Sequence, residues 1–497
     1  PTAVATADID GDGKNDIVTT YGYFGSTNNY VSVFRNATAA VEQLTFAPPV
    51  NIVAGTQGYS GFEVTVSDID GDTKPDLVAV FSGENTVRIF RNISTPGNIA
   101  FAPPIGYITS SPYGPDGTSP VNVTAADFTG DGKPDLAFAS FGLDNWCKVT
   151  YMQNLSANGT IAFGAPEHYM LVDAYRVFAA CLTDDNRPDL GVAINVNGSF
   201  MKQIATMKNV GAVNGGISMQ QNEGTGDENS TRSYYLSFGD LDGDGKTDMV
   251  AGNANASSIS LFKNTSTTYI TFSPAEKLTA VGGCYGVSVT DFDGDGKLDI
   301  AAGLPGTNKI AVWKNQSTPG TFSFTTPREF ITGKGSGALT AADLDGDNRP
   351  ELVLATPGDT AITIHYNRLP TNVELCPPLA STVISSPNSG STYQWQMSTD
   401  SVNFTNVSNG GYYGGTTTPT LQLTGIPSSL NGYQFRCLTN GNPGYVWTIQ
   451  FKNTWTGSSN NLWSNAANWS CGTLPDANTD VYIPAGRVVI NSNVTVR

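Results

Sequence analysis

Oxygen-bearing side chains recur in this chain at a spacing that suits a hard cation. Residues 8–16, DIDGDGKND, form a nine-residue loop with Asp8, Asp10, Asp12 and Asp16 at positions 1, 3, 5 and 9 and Gly at positions 4 and 6. The backbone carbonyl of Lys14 falls at position 7. A cation that takes six to eight oxygens at about 2.3–2.6 Å fits such a set, and Ca2+ suits it better than Mg2+, which gives up its waters reluctantly. Gly at position 6 permits the positive φ that wraps a chain around an ion. The aspartates repel one another until a divalent cation arrives, so the loop reads as a hairpin clamped by its ion.

The loop returns at intervals of 60, 59, 54, 59, 51 and 52 residues. The copies are DIDGDTKPD (Asp68, Asp70, Asp72, Lys74, Asp76), DFTGDGKPD (Asp127, Thr129, Asp131, Lys133, Asp135), DLDGDGKTD (Asp240, Asp242, Asp244, Lys246, Asp248), DFDGDGKLD (Asp291, Asp293, Asp295, Lys297, Asp299) and DLDGDNRPE (Asp343, Asp345, Asp347, Arg349, Glu351), where each Lys or Arg again offers its carbonyl. A worn copy, CLTDDNRPD, spans Cys181–Asp189; Cys181 and Thr183 replace two aspartates there, and it is expected to hold no ion. About six Ca2+ sites are thus expected. The spacing matches the first nine positions of an EF-hand loop. The copies are unequal: Thr73 stands at position 6 of the second, where a β-branched residue resists positive φ, and Asn348 and Glu351 alter the last. The loops hold 25 of the 43 acidic residues at ligand positions, so most of the net charge of −17 is metal-site charge.

Each loop must be positioned by a hairpin. A short apolar strand precedes it (AVATADI, GVSVTDF), a second follows (DIVTTY, DLVAVF), a third ends in F/W-R/K-N (VSVFRN, AVWKN), and a fourth carries TFAPPVNI or SFTTPREF. Four short antiparallel strands repeated seven times predict an all-β fold, a seven-bladed β-propeller over residues 1–370. The seventh repeat provides only ALTAADL, ELVLAT and AITIHYN. Its missing fourth strand is expected to lie upstream of Pro1 or to come from another chain, and otherwise the last blade has an open edge.

The pI near 4.4 argues against nucleic acid and anionic membrane surfaces as partners, and no stretch is long and apolar enough for a membrane span. His168 and His365 lie far apart without acid or Cys neighbours at ligand spacing, and no nucleophile or phosphate-loop motif occurs. A non-catalytic role is expected. Candidate ligand-facing aromatics stand six residues before four of the loops, at Phe62, Tyr175, Tyr234 and Tyr285, with Tyr113 and Trp146 in nearby loops. Their faces suit sugar rings or protein contacts, and inter-blade packing is the competing reading.

The loops and their flanks resemble the FG-GAP/VCBS repeats, whose propellers are similar to the integrin α-chain head. That resemblance implies calcium loops that brace blades and binding through other loops. Residues 371–452, with Cys376, Trp395 and NGYQFRC, resemble an immunoglobulin-like β-sandwich; this implies a Cys376–Cys437 bridge and an oxidising compartment. A Cys147–Cys181 bridge between neighbouring blades is a further expectation. Residues 453–497 resemble the start of a Trp-rich β module of secreted Bacteroidetes proteins, often found upstream of a type IX sorting domain. Cys471 would then pair beyond Arg497. Together these imply a secreted, cell-surface adhesion or binding protein that engages a surface protein or glycan ligand and the secretion machinery, as part of a longer chain or assembly. The alternative is a lectin, or the non-catalytic arm of a polysaccharide-degrading enzyme.

Overall fold

A computed structural model describes the chain except residues 22–28, 40–43, 56–60, 82–85, 109–118, 142–147, 158, 172–173, 195–203, 214–215, 226–232, 255, 348, 368–370, 387–389, 401–402, 461 and 484–497. The protein is all-β with almost no helix. It divides into two compact units, Pro1–Thr38 with Thr45–Tyr366, and Ala39–Leu44 with Asn367–Arg497.

The first unit contains, among the described residues, six four-stranded antiparallel sheets and one of three strands. Sheet 1 is built from Ala3–Ala7, Asp16–Tyr21, Asn29–Phe34 and Val50–Gly55 in that order. Sheet 6 is built from Val287–Thr290, Asp299–Leu304, Lys309–Trp313 and Arg328–Ile331. Sheet 7 has only Leu339–Ala342, Glu351–Thr356 and Ala361–His365. The first strands of successive sheets touch, and Leu339–Ala342 of sheet 7 touches Ala3–Ala7 of sheet 1, so the sheets close into a ring. This arrangement is β-propeller-like.

Second strands such as Asp76–Phe81, Asp248–Asn253 and Asp299–Leu304 are buried at every residue. Alternation therefore fails in them, and DLVAVF and DIAAGL read as continuous apolar runs. The cause is the ring: each sheet is covered on both faces by neighbours, as in a doubly covered parallel sheet. The core accordingly lies between sheets. One cluster joins Val18 and Val33 of sheet 1 to Leu77, Phe81 and Phe90 of sheet 2, which is built from Gly61–Ser67, Asp76–Phe81, Thr86–Phe90 and Ile105–Ile108, and another joins Val250 and Leu261 of sheet 5, built from Ser233–Gly239, Asp248–Asn253, Ser258–Phe262 and Glu276–Thr279, to Ile300 and Trp313 of sheet 6.

The second unit is a two-sheet sandwich. One sheet orders Thr371–Leu375, Asn442–Thr454, Gln434–Thr439, Tyr393–Ser398 and Thr405–Asn406, and Asp480–Tyr482 also pairs with Asn442–Thr454. The other consists of Leu379–Ser385, Thr420–Pro427 and Tyr413–Gly414. Trp395, Leu421, Phe435, Ile449 and Phe451 share the core between them. The Trp-rich segment forms a small cluster of its own, in which Trp469 meets Trp463 at 4.6 Å and Trp455 at 5.1 Å between ring centroids.

The expected Cys376–Cys437 bridge is not formed. Cys376 pairs with Cys471, their Cα atoms 5.5 Å apart, and Cys437 is a buried free thiol. Strand order explains the correction. Thr371–Leu375 lies in the same sheet as Gln434–Thr439, one strand away, so Cys376 does not face Cys437 across the sandwich. Leu375 is in register with Phe451, which brings Cys376 beside Lys452, and the Cys471 thiol lies 3.4 Å from the Lys452 carbonyl. Cys437 instead sits opposite Trp395. Cys471 therefore has its partner within the chain. Cys181 carries a free thiol rather than bridging Cys147, which lies outside the described residues. The bridge spans 95 residues. Cys471→Ser is expected to lower stability by about 2–4 kcal/mol in denaturant titration, whereas Cys437→Ser should leave the bridge intact in non-reducing peptide maps.

Candidate metal centre

The loops lie at the hairpin between the first and second strand of each sheet. Their carboxylates converge: Asp8, Asp10 and Asp16 have oxygens all within 4.8 Å of one another, as do Asp68, Asp70 and Asp76, then Asp240, Asp242 and Asp248, then Asp291, Asp293 and Asp295, and finally Asp343, Asp345 and Asp347. These are the five such groups among the described residues. All-oxygen donor sets of this kind fit a hard divalent cation. The third loop offers fewer carboxylates because Thr129 stands at position 3, its hydroxyl 3.4 Å from Asp127 Oδ1.

Backbone N–H groups hold each loop together. Asp8 Oδ1 accepts from Gly11 N and Asp12 N at 2.9 and 3.1 Å, and Asp8 Oδ2 accepts from Gly13 N at 2.8 Å. Lys14 N donates to Asp12 Oδ1 at 3.0 Å. The same contacts recur in the loops that begin at Asp68, Asp240 and Asp291. The wrap requires positive φ at position 6, where Gly13 and Gly245 have φ of 86° and 89°. Thr73 is forced into the same region at 71° despite its branched side chain.

The position-9 carboxylate does a different job from the others. Asp16 is buried; its Oδ2 accepts from Ile9 N at 2.9 Å and its Oδ1 from Asn36 N at 2.7 Å. The pair is repeated at Asp76, Asp135, Asp248 and Asp299. It also survives in the worn copy, where Asp189 accepts from Leu182 N and Asn209 N at 3.1 and 2.8 Å. Position 9 is thus structural as well as a candidate ligand. Burial pushes the carboxyls of Asp16, Asp76, Asp189, Asp248 and Asp299 up to about 6, against the pull of these N–H donors.

The Asn of R/K-N links one sheet to the next. Asn92 Nδ2 donates to Ile9 O in the preceding loop at 2.8 Å. Asn154 reaches Ile69, Asn209 reaches Phe128, Asn264 reaches Leu182 and Asn315 reaches Leu241 in the same way. Asn36 closes the ring onto Leu344 O of sheet 7 at 2.6 Å. Where the residue before the Asn is basic it faces the carboxylates: Arg91 pairs with Asp70 and, at 3.1 Å, with Asp72; Lys263 lies 3.0 Å from Asp242; Lys314 pairs with Asp293 and Asp295, whereas Asn154 follows Gln153. The position-7 side chains point away, Lys14 Nζ to Thr38 O at 2.6 Å and Lys74 Nζ to Ser94 O at 2.7 Å. Repulsion among the aspartates is therefore countered by N–H donors and local cations, not by a divalent ion alone. R/K-N was visible as a recurrent strand ending, but nothing in its spacing announced either role.

The candidate ligand-facing aromatics resolve differently. Tyr175, Tyr234 and Tyr285 come from successive sheets and form a ladder, with Tyr234 5.2 Å from Tyr175 and 5.1 Å from Tyr285 between centroids. Both neighbours pack on Tyr234, as the inter-blade reading expects. The Phe62 side chain, Tyr113 and Trp146 lie outside the described residues. Beside the ladder, Arg176 pairs with Glu63 and lies 4.1 Å over the Tyr235 ring. Glu63, Thr65, Tyr235, Ser288 and Thr340 help line a central cavity of about 380 Å³. His168, on the outermost strand of its sheet (Glu167–Met170), has Nδ1 3.0 Å from the hydroxyl of Thr150 on the next strand, and burial lowers its pKa.

Residues 8–79, 68–138, 240–302 and 301–354 match the FG-GAP-like repeat family, so the chain contains FG-GAP-like repeats. No curated protein matches the chain. Among solved structures it is similar to BBS1N in complex with ARL6DN (13% identity over 73% of this chain and 91% of that chain, TM-score 0.46). It is also similar to an Agrocybe aegerita lectin that recognises non-reducing terminal N-acetylglucosamine (22%, 66% and 79%, TM-score 0.44). A protein from Lactobacillus plantarum is a third (14%, 68% and 86%, TM-score 0.45).

Two outcomes are expected from this geometry. Thr73→Gly relieves a left-handed β-branched residue and should raise stability by about 0.5–1 kcal/mol in urea titration, the gain being reduced by the freer unfolded chain. The raised position-9 carboxyls bind protons in the folded state between roughly pH 4 and 6, where unfolded aspartates have already lost theirs. In chelator, stability should therefore increase as pH falls from 7 to 5. With saturating Ca2+ the trend should reverse, because protons compete for the same oxygens. Thermal melts at both pH values read this, and parallel trends would contradict it.

Proposed function

We propose that the first unit is a seven-bladed, calcium-stabilised FG-GAP propeller whose job is binding rather than catalysis. In this reading the second unit is an Ig-like sandwich followed by a Trp-rich segment, and the protein acts as an extracellular adhesion module on a bacterial surface. The observation that carries the reading is the coupling of each oxygen cluster to its ring. The loop that gathers the carboxylates also presents the carbonyl that the next sheet's Asn grips, as Ile9 does for Asn92. An ion bound there stiffens the contact between blades, so occupancy is felt around the whole wheel. The Cys376–Cys471 bridge supports an oxidising compartment. Tyr234 packs between Tyr175 and Tyr285, which leaves it less free to take up a sugar ring, and the reading therefore puts a protein ligand ahead of a sugar.

Calcium titration by calorimetry tests the metal half. Five or six ions should bind, and saturation should raise stability by about 2.7 kcal/mol per site at a free concentration one hundred times Kd. Asp10→Asn should remove one ion. Retention of surface proteins on the immobilised chain, compared with a glycan array, tests the binding half. Calcium-dependent retention of a protein supports adhesion; saturable sugar binding or turnover of a polysaccharide overturns it.

A further inference from the structure

The loops that begin at Asp8, Asp240 and Asp291 share one donor set: Asp at positions 1, 3, 5 and 9, Gly at 4 and 6, and a Lys carbonyl at 7. They fold on the same N–H contacts. What differs is the cation beside them. Arg35 Nη1 stands 4.0 Å from Oδ2 of both Asp10 and Asp12, and Asp10 Oδ2 accepts instead from Gly97 N, in a turn of sheet 2, at 2.8 Å. Lys263 Nζ is nearer, 3.0 Å from Asp242 Oδ2 and 3.7 Å from Asp244 Oδ2. Lys314 Nζ is nearest, paired with Asp293 Oδ2 and 3.0 Å from Asp295 Oδ2.

The cations are built into the ring. Each extends from the third strand of the loop's own sheet, and a turn of the next sheet closes over two of them: a Cβ on Gly159 would stand 2.8 Å from Arg91 Nη2, and one on Gly320 3.3 Å from Lys263 Nζ. Loop and cation also change together along the chain. Where Thr129 removes the position-3 carboxylate, neutral Gln153 stands before the Asn. With the position-7 side chains directed elsewhere, four carboxylates less one cation and three carboxylates with none both carry a net charge of −3. In the worn loop Lys208 ties Asp185 to Thr268 O of sheet 5, so a side-chain cation alone makes a joint between sheets there.

We propose that the basic residue before the Asn is a resident counter-cation that sets how tightly its loop takes a divalent ion. It neutralises the ion-free loop and repels the ion that arrives. The inference rests on the calcium reading above and adds to it an order among the sites. Ca2+ and the side chain share the same carboxylates, and like charges a few ångströms apart repel strongly even where water softens the field. Affinity in loops of this kind follows the charge presented to the ion. A closer cation therefore makes a weaker site. Among the three loops with one donor set, the loop at Asp8 binds tightest, the loop at Asp240 next and the loop at Asp291 weakest.

Native mass spectrometry of the full chain at buffered free Ca2+ counts the ions as they bind. Lys314→Gln gives the loop at Asp291 the neutral neighbour that Gln153 gives the third loop. One ion should move to at least about tenfold lower free calcium, and adding Asp293→Asn to that variant should abolish the shifted step. Lys314→Arg keeps the charge and should leave the titration where it was. Of the three loops, the one disabled by Asp10→Asn should be the first to fill. Thermal melts supply a second readout: Lys314→Gln should melt lower than the unaltered chain in chelator, and the deficit should vanish or reverse in saturating Ca2+. A merely structural contact lowers both melts alike. Unchanged or weaker affinity in Lys314→Gln, equal deficits in the two melts, or filling of the Asp291 loop before the Asp8 loop overturns the proposal and leaves the calcium reading standing. Absence of bound Ca2+ overturns both.

Discussion

A buried carboxylate that receives two backbone N–H groups is the contact on which the ring rests. At Asp16 one donor closes the loop onto itself, through Ile9, and the other fastens the third strand, through Asn36. The same Asn then spends its amide on the neighbouring loop. A carboxylate removed from water is costly unless its oxygens are occupied, and charge-assisted bonds to N–H donors are among the stronger compensations available. Hairpin, sheet and neighbour are thus tied through two adjacent polar groups. The apolar clusters between sheets fill the space, but they are non-directional; the Asp–Asn pair fixes register.

The worn loop separates two layers of function within one motif. Cys181 and Thr183 have replaced two candidate ligands, yet Asp189 and Asn209 keep their bonds to Leu182, Phe128 and each other. Positions 1, 3 and 5 can change without loss of the ring, because their oxygens serve the loop's own N–H groups and a candidate ion site. Position 9 holds three strands together. The basic residue beside the Asn belongs to the same economy: Lys208 lies 3.3 Å from Asp185 in the worn loop, and Lys263 lies 3.0 Å from Asp242 in an intact one. A ring bearing so many clustered carboxylates would strain against its own charge, and these side chains relieve it locally within a few ångströms.

Much of this was legible from residues alone. Asp/Gly spacing and its recurrence indicate the loops, and the strand signals around them indicate four-stranded sheets with one strand short. What escaped was whatever depends on which sheet lies against which. Asn92 and Ile9 are 83 residues apart, and no local pattern announces their contact. Strand order decided the bridge: Cys376 and Cys437 had the separation of a sandwich disulfide, but their strands lie in one sheet, and Cys471 reached Cys376 through the register of Leu375 with Phe451. Thr73 shows propensity overruled, since three N–H groups directed at Asp68 hold it at positive φ.

The unequal seventh sheet is compatible with a closed ring because closure and completion use different edges. Leu339–Ala342 meets Ala3–Ala7 on the inner side, while Asn36 and Asn15 donate to Leu344 O and Asp343 O at the loop. These contacts lie on the channel side and at the loops, where the carboxylates cluster, and none involves the outer strand. The wheel is therefore locked before its last outer edge is covered.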